Sequence, residues 1–113
     1  MSTITTHVLD VSIGRPAANV PVLLEMQSAN GAWSEAGHGA TYSDGRLKDL
    51  AEGKTLSAGI YRLTFDTRSY FAGRNIAGLY PQVMIVFEVK DSQEHYHIPL
   101  LLSPFGYSTY RGS

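Results

Sequence analysis

His95-Tyr96-His97-Ile98-Pro99-Leu100-Leu101-Leu102 decides the fold of this 113-residue chain. Side chains along an extended strand alternate between two faces. Tyr96, Ile98 and Leu100 therefore make an apolar stripe aimed at a core, while His95, His97, Pro99 and Leu101 point away from it. The outward set is itself oddly apolar, and an outer face of that kind normally meets another subunit.

Period two continues in both directions from this stretch. Asp91-Ser92 turns into it, and Gly78-Leu79-Tyr80-Pro81 turns into a strand from Val83 to Val89. Gly59 to Phe65 alternates, with Tyr61, Leu63 and Phe65 on one face. Between these strands, Asp66-Thr67 is suited to cap a short helix through Tyr70 and Phe71 that ends near Gly73. Val20, Val22, Leu24 and Met26 alternate with Pro21, Leu23 and Glu25. Asn30-Gly31 is a hairpin signal leading to a strand from Trp33 to Gly39. Ser43-Asp44-Gly45 turns into a short strand at Arg46, and Thr5 to Asp10 forms a strand before a turn at Gly14-Arg15-Pro16-Ala17. Downstream, Ser103-Pro104-Phe105-Gly106 connects tightly to a last strand from Tyr107 to the end, which should pair antiparallel with the His97 strand. About eight strands and one short helix predict an all-β sandwich of two sheets, one domain over residues 1–113.

Composition narrows the function. Hydrophobic residues make up 43% and charged residues 17%, which is a globular balance. Nine Lys and Arg against ten Asp and Glu leave a net charge of -1 without a basic stripe, so no nucleic acid partner is expected. With no cysteine, disulfides and thiolate chemistry are unavailable. No apolar run is long enough to span a membrane as a helix, and Met1 to His7 lacks the regions of a signal peptide. A cytoplasmic location without membrane contact is the expectation.

The histidines are His7, His38, His95 and His97. In the first strand Ile4, Thr6 and Val8 share one face, and Thr5, His7 and Leu9 the other. If that strand neighbours the His97 strand, His7 and His97 lie together on an outer face. Imidazoles, with an ordinary pKa of ~6.5, suit acid–base work at neutral pH. A lone histidine is most often a solvated surface residue, and His38 and His95 are read that way. His95 and His97 have the spacing of metal ligands on a strand. A catalytic zinc normally takes three protein ligands, and only His7 offers a third, so no metal is expected. By residue type alone, Arg46 after its turn and Arg111 near the end are exposed charges. The chain has no Gly-x-Ser-x-Gly elbow, no glycine-rich phosphate loop and no paired carboxylates. These residues describe a sandwich with two histidines on an apolar outer face, without naming a substrate.

Thr6-His7-Val8-Leu9-Asp10, followed by Gly14-Arg15-Pro16-Ala17, resembles the opening of transthyretin-related proteins. Thr41 to Arg46 is similar to that family's next block, and Tyr96 to Pro104 with Tyr107 to Tyr110 resembles its last two strands. Tyr110-Arg111-Gly112-Ser113 resembles the signature of the family's 5-hydroxyisourate hydrolases and separates them from the hormone carriers. The resemblance implies a transthyretin-like (prealbumin-like) sandwich of two four-stranded sheets with one short helix. It implies a homotetramer, a dimer of dimers, with clefts where outer sheet faces meet. The implied substrate is the small molecule 5-hydroxyisourate, whose ring amide is hydrolysed to 2-oxo-4-hydroxy-4-carboxy-5-ureidoimidazoline on the way from urate to allantoin. His7, Arg46, His97 and Ser113 are the implied catalytic residues, and His7, Arg46, Tyr110, Arg111 and Gly112 the substrate contacts. One of the two imidazoles would activate water, Arg46 would meet the developing negative charge, and the Ser113 hydroxyl or a terminal carboxylate would orient water or a histidine. Two other readings compete: a transthyretin-like carrier of small aromatic ligands, and a purely structural sandwich of the kind found in adhesins.

Overall fold

The computed structural model describes residues 3–52 and 54–113. Its strands are β1 (Thr3–Asp10), β2 (Arg15–Pro16), β3 (Pro21–Gln27), β4 (Trp33–Ala40), β5 (Arg46–Leu47), β6 (Gly59–Phe65), β7 (Val83–Val89), β8 (His95–Ser103) and β9 (Gly106–Thr109). One helix, α1 (Thr67–Ala72), follows β6. One sheet runs β2-β1-β8-β9 with β5 also on β1, and the other runs β4-β3-β6-β7. Their inner faces meet in a core built from Ile4, Val8, Ile98 and Leu100 on one side and Val22, Leu24, Leu63 and Phe65 on the other. Each fully buried side chain of this size contributes about 1.5–3 kcal/mol. Among the described residues no helix is long and apolar enough to cross a membrane.

The alternation read from the sequence matches the burial. Ile4, Thr6 and Val8 are buried in β1, as are Tyr96, Ile98 and Leu100 in β8. The two strands are neighbours, paired in parallel with Thr5 opposite His97, His7 opposite Pro99 and Leu9 opposite Leu101. Asp66 caps α1 by accepting from the Ser69 backbone N–H at 3.1 Å, and Gly73 closes it by donating to the Ser69 carbonyl at 3.1 Å.

The first sheet departs from the expected four strands. The free edge of β1 is shared: β2 pairs with Leu9 and Asp10, and β5 pairs with Thr6 and His7. The Arg15-Pro16 turn thus contains a short strand, at an edge where proline's missing N–H is tolerated. The handover falls at Val8, whose N–H donates to the Gly45 carbonyl and whose carbonyl accepts from the Ala17 N–H. Gly45 has φ +79, and a Cβ there would stand 2.4 Å from the Val8 oxygen. Only glycine allows that approach, and it brings Arg46 directly opposite His7.

β9 is shorter than expected. It stops at Thr109, but an isolated bridge joins His97 to Gly112 in the register set by Leu100 opposite Thr109. The tail therefore follows the hairpin back along β8. At the other end of β1, the buried Asp10 carboxylate accepts from the Tyr70 hydroxyl at 2.8 Å and from Arg74 Nη1 at 2.9 Å. This network ties the first strand to the helix. Burial and the Asp10 hydrogen bond push the Tyr70 phenol up to about 12.

Candidate active site

Two rows cross the outer face of the first sheet. One carries Arg46, His7 and Pro99 on β5, β1 and β8; the other carries Thr5, His97 and Gly112. Cross-strand partners stand on the same face, so the pairing alone gathers most of the residues singled out in the sequence. Thr5, Arg46, Lys48, His95, His97 and Ser113 line one shallow pocket of about 170 Å³. His7 adjoins it through Arg46.

Each group is held in a particular state. Thr5 Oγ1 lies 2.8 Å from His97 Nδ1. His7 Nε2 lies 2.9 Å from the Asp44 carbonyl oxygen, which can only accept, so that nitrogen carries a proton and Nδ1 is left open. Asp44 also caps its own turn by accepting from the Arg46 N–H at 3.0 Å. The Arg46 Nε stands 3.9 Å from Asp44 Oδ2, a loose and exposed contact that leaves the guanidinium fork free for another anion. Burial lowers the His97 pKa first, and its electrostatic interactions with His95, Arg46 and His7 lower it further. His97 is therefore biased toward its neutral form at neutral pH.

The tail supplies a floor for this imidazole. The Gly112 N–H donates to the His97 carbonyl at 2.8 Å. A Cβ on Gly112 would lie 2.5 Å from His97 Cδ2 and 3.3 Å from Pro99 Cγ, so any side chain there would displace the ring that leans over the backbone. Pro99, expected to wait for another subunit, is already buried within the chain, as the tail passes alongside it. Leu9 and Leu101 remain half-buried on the outer face, and Tyr110 is exposed there.

Arg111 departs from its expected place among the substrate contacts. Its Nη2 donates to Glu94 Oε1 at 2.9 Å and to the His95 carbonyl at 3.0 Å, and its guanidinium covers the Tyr96 ring at 4.4 Å. The cause is parity. Arg111 precedes Gly112 by one residue, so its side chain leaves the opposite face of the strand. Within the chain it clamps the tail down and does not point at the pocket.

Thr5 and Lys48, not among the expected site residues, line the pocket together with His95, expected to be a solvated surface residue. Thr5 shares parity with His7, and Lys48 with Arg46, so the signal was present. The His95 and His97 rings lie parallel with centroids 6.2 Å apart, and the Thr5 hydroxyl reaches a nitrogen of each. Both rings thus present a nitrogen to the same hydroxyl. His38 sits on the other sheet, its Nδ1 2.6 Å from Glu35 Oε2.

The HIUase/Transthyretin family model matches residues 4–112. A probable 5-hydroxyisourate hydrolase of Caenorhabditis elegans is 44% identical over 112 residues, covering 99% of this chain and 82% of that protein. The solved 5-hydroxyisourate hydrolase of Klebsiella pneumoniae superposes with a TM-score of 0.87 at 35% identity, covering 100% of both chains. Sea bream transthyretin, solved in complex with thyroxine, superposes with a TM-score of 0.91 at 30% identity, covering 96% of this chain and 93% of that one. With sequence and backbone in agreement, the chain belongs to the HIUase/Transthyretin family.

Proposed function

We propose that this protein is an enzyme of urate degradation that hydrolyses a ring amide of 5-hydroxyisourate. The observation that carries this reading is the meeting of His97, Arg46 and Ser113 in one pocket, with His97 biased to its neutral form. A carrier needs a channel that fits its ligand; it has no use for an unprotonated imidazole facing a free guanidinium. Relatives named as hydrolases along nearly the whole chain support the same choice.

The chemistry follows from the hydrogen bonds. His97 Nδ1 is engaged by Thr5, so Nε2 takes the proton from an attacking water. Arg46 presents its donors to the oxygen that becomes negative as water adds to the ring carbonyl. His7, with Nε2–H committed to Asp44, uses Nδ1 to accept from a substrate N–H. Ser113 orients the water from the tail, and Tyr110 walls the cleft. No organic cofactor or metal enters this scheme.

The active form in this reading is a homotetramer, a dimer of dimers. β7 and β9 end their sheets as unpaired edges, which favours edge-to-edge pairing with another copy. Half-buried Leu9 and Leu101 would be covered where two outer faces meet. Light scattering at micromolar concentration should give four times the chain mass; a monomer with full activity would contradict it. The decisive assay adds purified protein to freshly oxidised urate and follows the intermediate by ultraviolet absorbance. Faster decay is expected, and decay at the protein-free rate would overturn the reading.

A further inference from the structure

Hydrogen bonds continue outward from His97 along the edge of the site. Thr5 Oγ1 lies between two imidazoles, 2.8 Å from His97 Nδ1 and 3.2 Å from His95 Nε2. His95 Nδ1 is hydrogen-bonded in turn to Thr3 Oγ1. A hydroxyl has one proton to donate, so Thr5 donates to one ring and accepts from the other. With His97 Nε2 facing water as a base, its Nδ1 carries the proton and donates to Thr5. Thr5 then donates to His95 Nε2, and His95 Nδ1–H donates to Thr3. One consistent direction satisfies every member of the chain.

We propose that Thr5 and His95 form a proton relay that removes positive charge from His97 during turnover. This rests on the assignment of His97 as the base. In the step, His97 Nε2 takes a proton from water as the water oxygen bonds to the ring carbonyl carbon. The Nδ1 proton of His97 passes to Thr5 Oγ1, and the Thr5 hydroxyl proton passes to His95 Nε2. His97 ends neutral with its proton on Nε2, and His95 ends as the cation. His97 then donates the Nε2 proton to the departing ring nitrogen as the amide bond breaks. The relay runs backward, returning a proton from His95 through Thr5 to His97 Nδ1 and restoring the starting state.

The direction has a physical cause. A cation on His97 would sit partly buried, facing His7 on β1, Arg46 on β5, Lys48 just beyond it and His95 on its own strand. His95 is exposed, so water solvates its charge, and Arg111, which bonds the His95 carbonyl, is already paired with Glu94. Thr5 and His95 are positioning residues in this account, acting through His97.

The test uses the full chain with Thr5→Val, Thr5→Ser and His95→Ala. Thr5→Val keeps the branched shape and loses the hydroxyl. It should lower kcat on the order of tenfold at unchanged KM, a fraction of the 10²–10⁴ that a direct acid–base group contributes. Thr5→Ser should restore most of that loss. His95→Ala should lose a similar factor and regain it when free imidazole is added to the buffer. Nitrogen chemical shifts should report His97 in the Nδ1–H form, moving toward Nε2–H in Thr5→Val. Wild-type kcat in both Thr5→Val and His95→Ala would overturn the relay, as would a His95→Ala loss that imidazole does not repair. If the protein failed to hydrolyse 5-hydroxyisourate, the proposed function would fall by itself. The nitrogen shifts would still decide the relay, and a His97 Nε2–H form in the wild-type protein would refute it.

Discussion

On the outer face of the β4-β3-β6-β7 sheet, His38, Leu23 and Thr64 stand in one row across three strands. With Asp66, Arg68 and neighbours they line a hollow of about 590 Å³. The hollow on the opposite outer face, at His97 and Arg46, holds about 170 Å³. The larger one has a histidine, an arginine and a carboxylate of its own. Its histidine, however, is exposed and tied to Glu35 within its own strand. In the smaller hollow the imidazole is partly desolvated, its Nδ1 is engaged, and the guanidinium nearby has only a loose partner. Size measures shape, whereas catalysis requires groups whose protonation states have been set apart by their surroundings.

The comparison can be broken most severely at the tail. Removing residues 110–113 takes away the glycine under His97 and the Ser113 wall, yet leaves the β8–β9 hairpin and the larger hollow intact. Hydrolysis should fall to background while light scattering shows the same assembly; an undiminished rate would move the site elsewhere. Next in size, His97→Asn and His7→Asn should each reduce turnover by at least ~100-fold, in the range of general acid–base groups. His38→Asn should leave the ultraviolet assay unchanged, and an equal loss there would erase the distinction between the two faces.

Gly112→Ala is a milder probe. The new methyl would press on His97 Cδ2 and swing the ring, and a displacement of that scale costs about ten- to a hundredfold in kcat. Unaltered kcat would mean that the ring position is not critical.

The pH profile sharpens the electrostatic half of the comparison. The His97 pKa is lowered from 6.5, so the neutral base persists below that value. kcat/KM should hold as pH falls to 6.5 and decline only at lower pH, as His97 takes a proton. An acid limb above 6.5 would point to a different base. The smallest effect concerns metal: dialysis against EDTA should leave the rate unchanged, because the His95 and His97 nitrogens meet a hydroxyl between parallel rings. Loss of activity that zinc restores would reverse that assignment.

Much of the sandwich is legible in the sequence. Strand positions, the Asp66 cap and the outward direction of His7 and His97 all follow from alternation and turn chemistry, which act between near neighbours. The strand hidden in Arg15-Pro16 was not legible, because two residues carry no period. The pairing of Arg111 with Glu94 and Tyr96 was not legible, because it follows from the tail's register on β8, which sends Gly112 and Arg111 to opposite faces. His95 read as an ordinary surface residue because the Thr5 hydroxyl that joins it to His97 lies on another strand.

By itself, then, the sequence determined which face of each strand each side chain takes, because pleating is local and every residue reports its own parity. Tertiary structure alone decided which strands would be neighbours. Thr5 and His97 are 92 positions apart and meet only because β1 and β8 pair in parallel, with both core stripes buried against the second sheet. The same pairing sets the chemistry. His97 loses part of its solvent and gains Arg46, His7 and His95 as neighbours, and the resulting fall in its pKa is a property of that enclosure, which no stretch of chain carries alone.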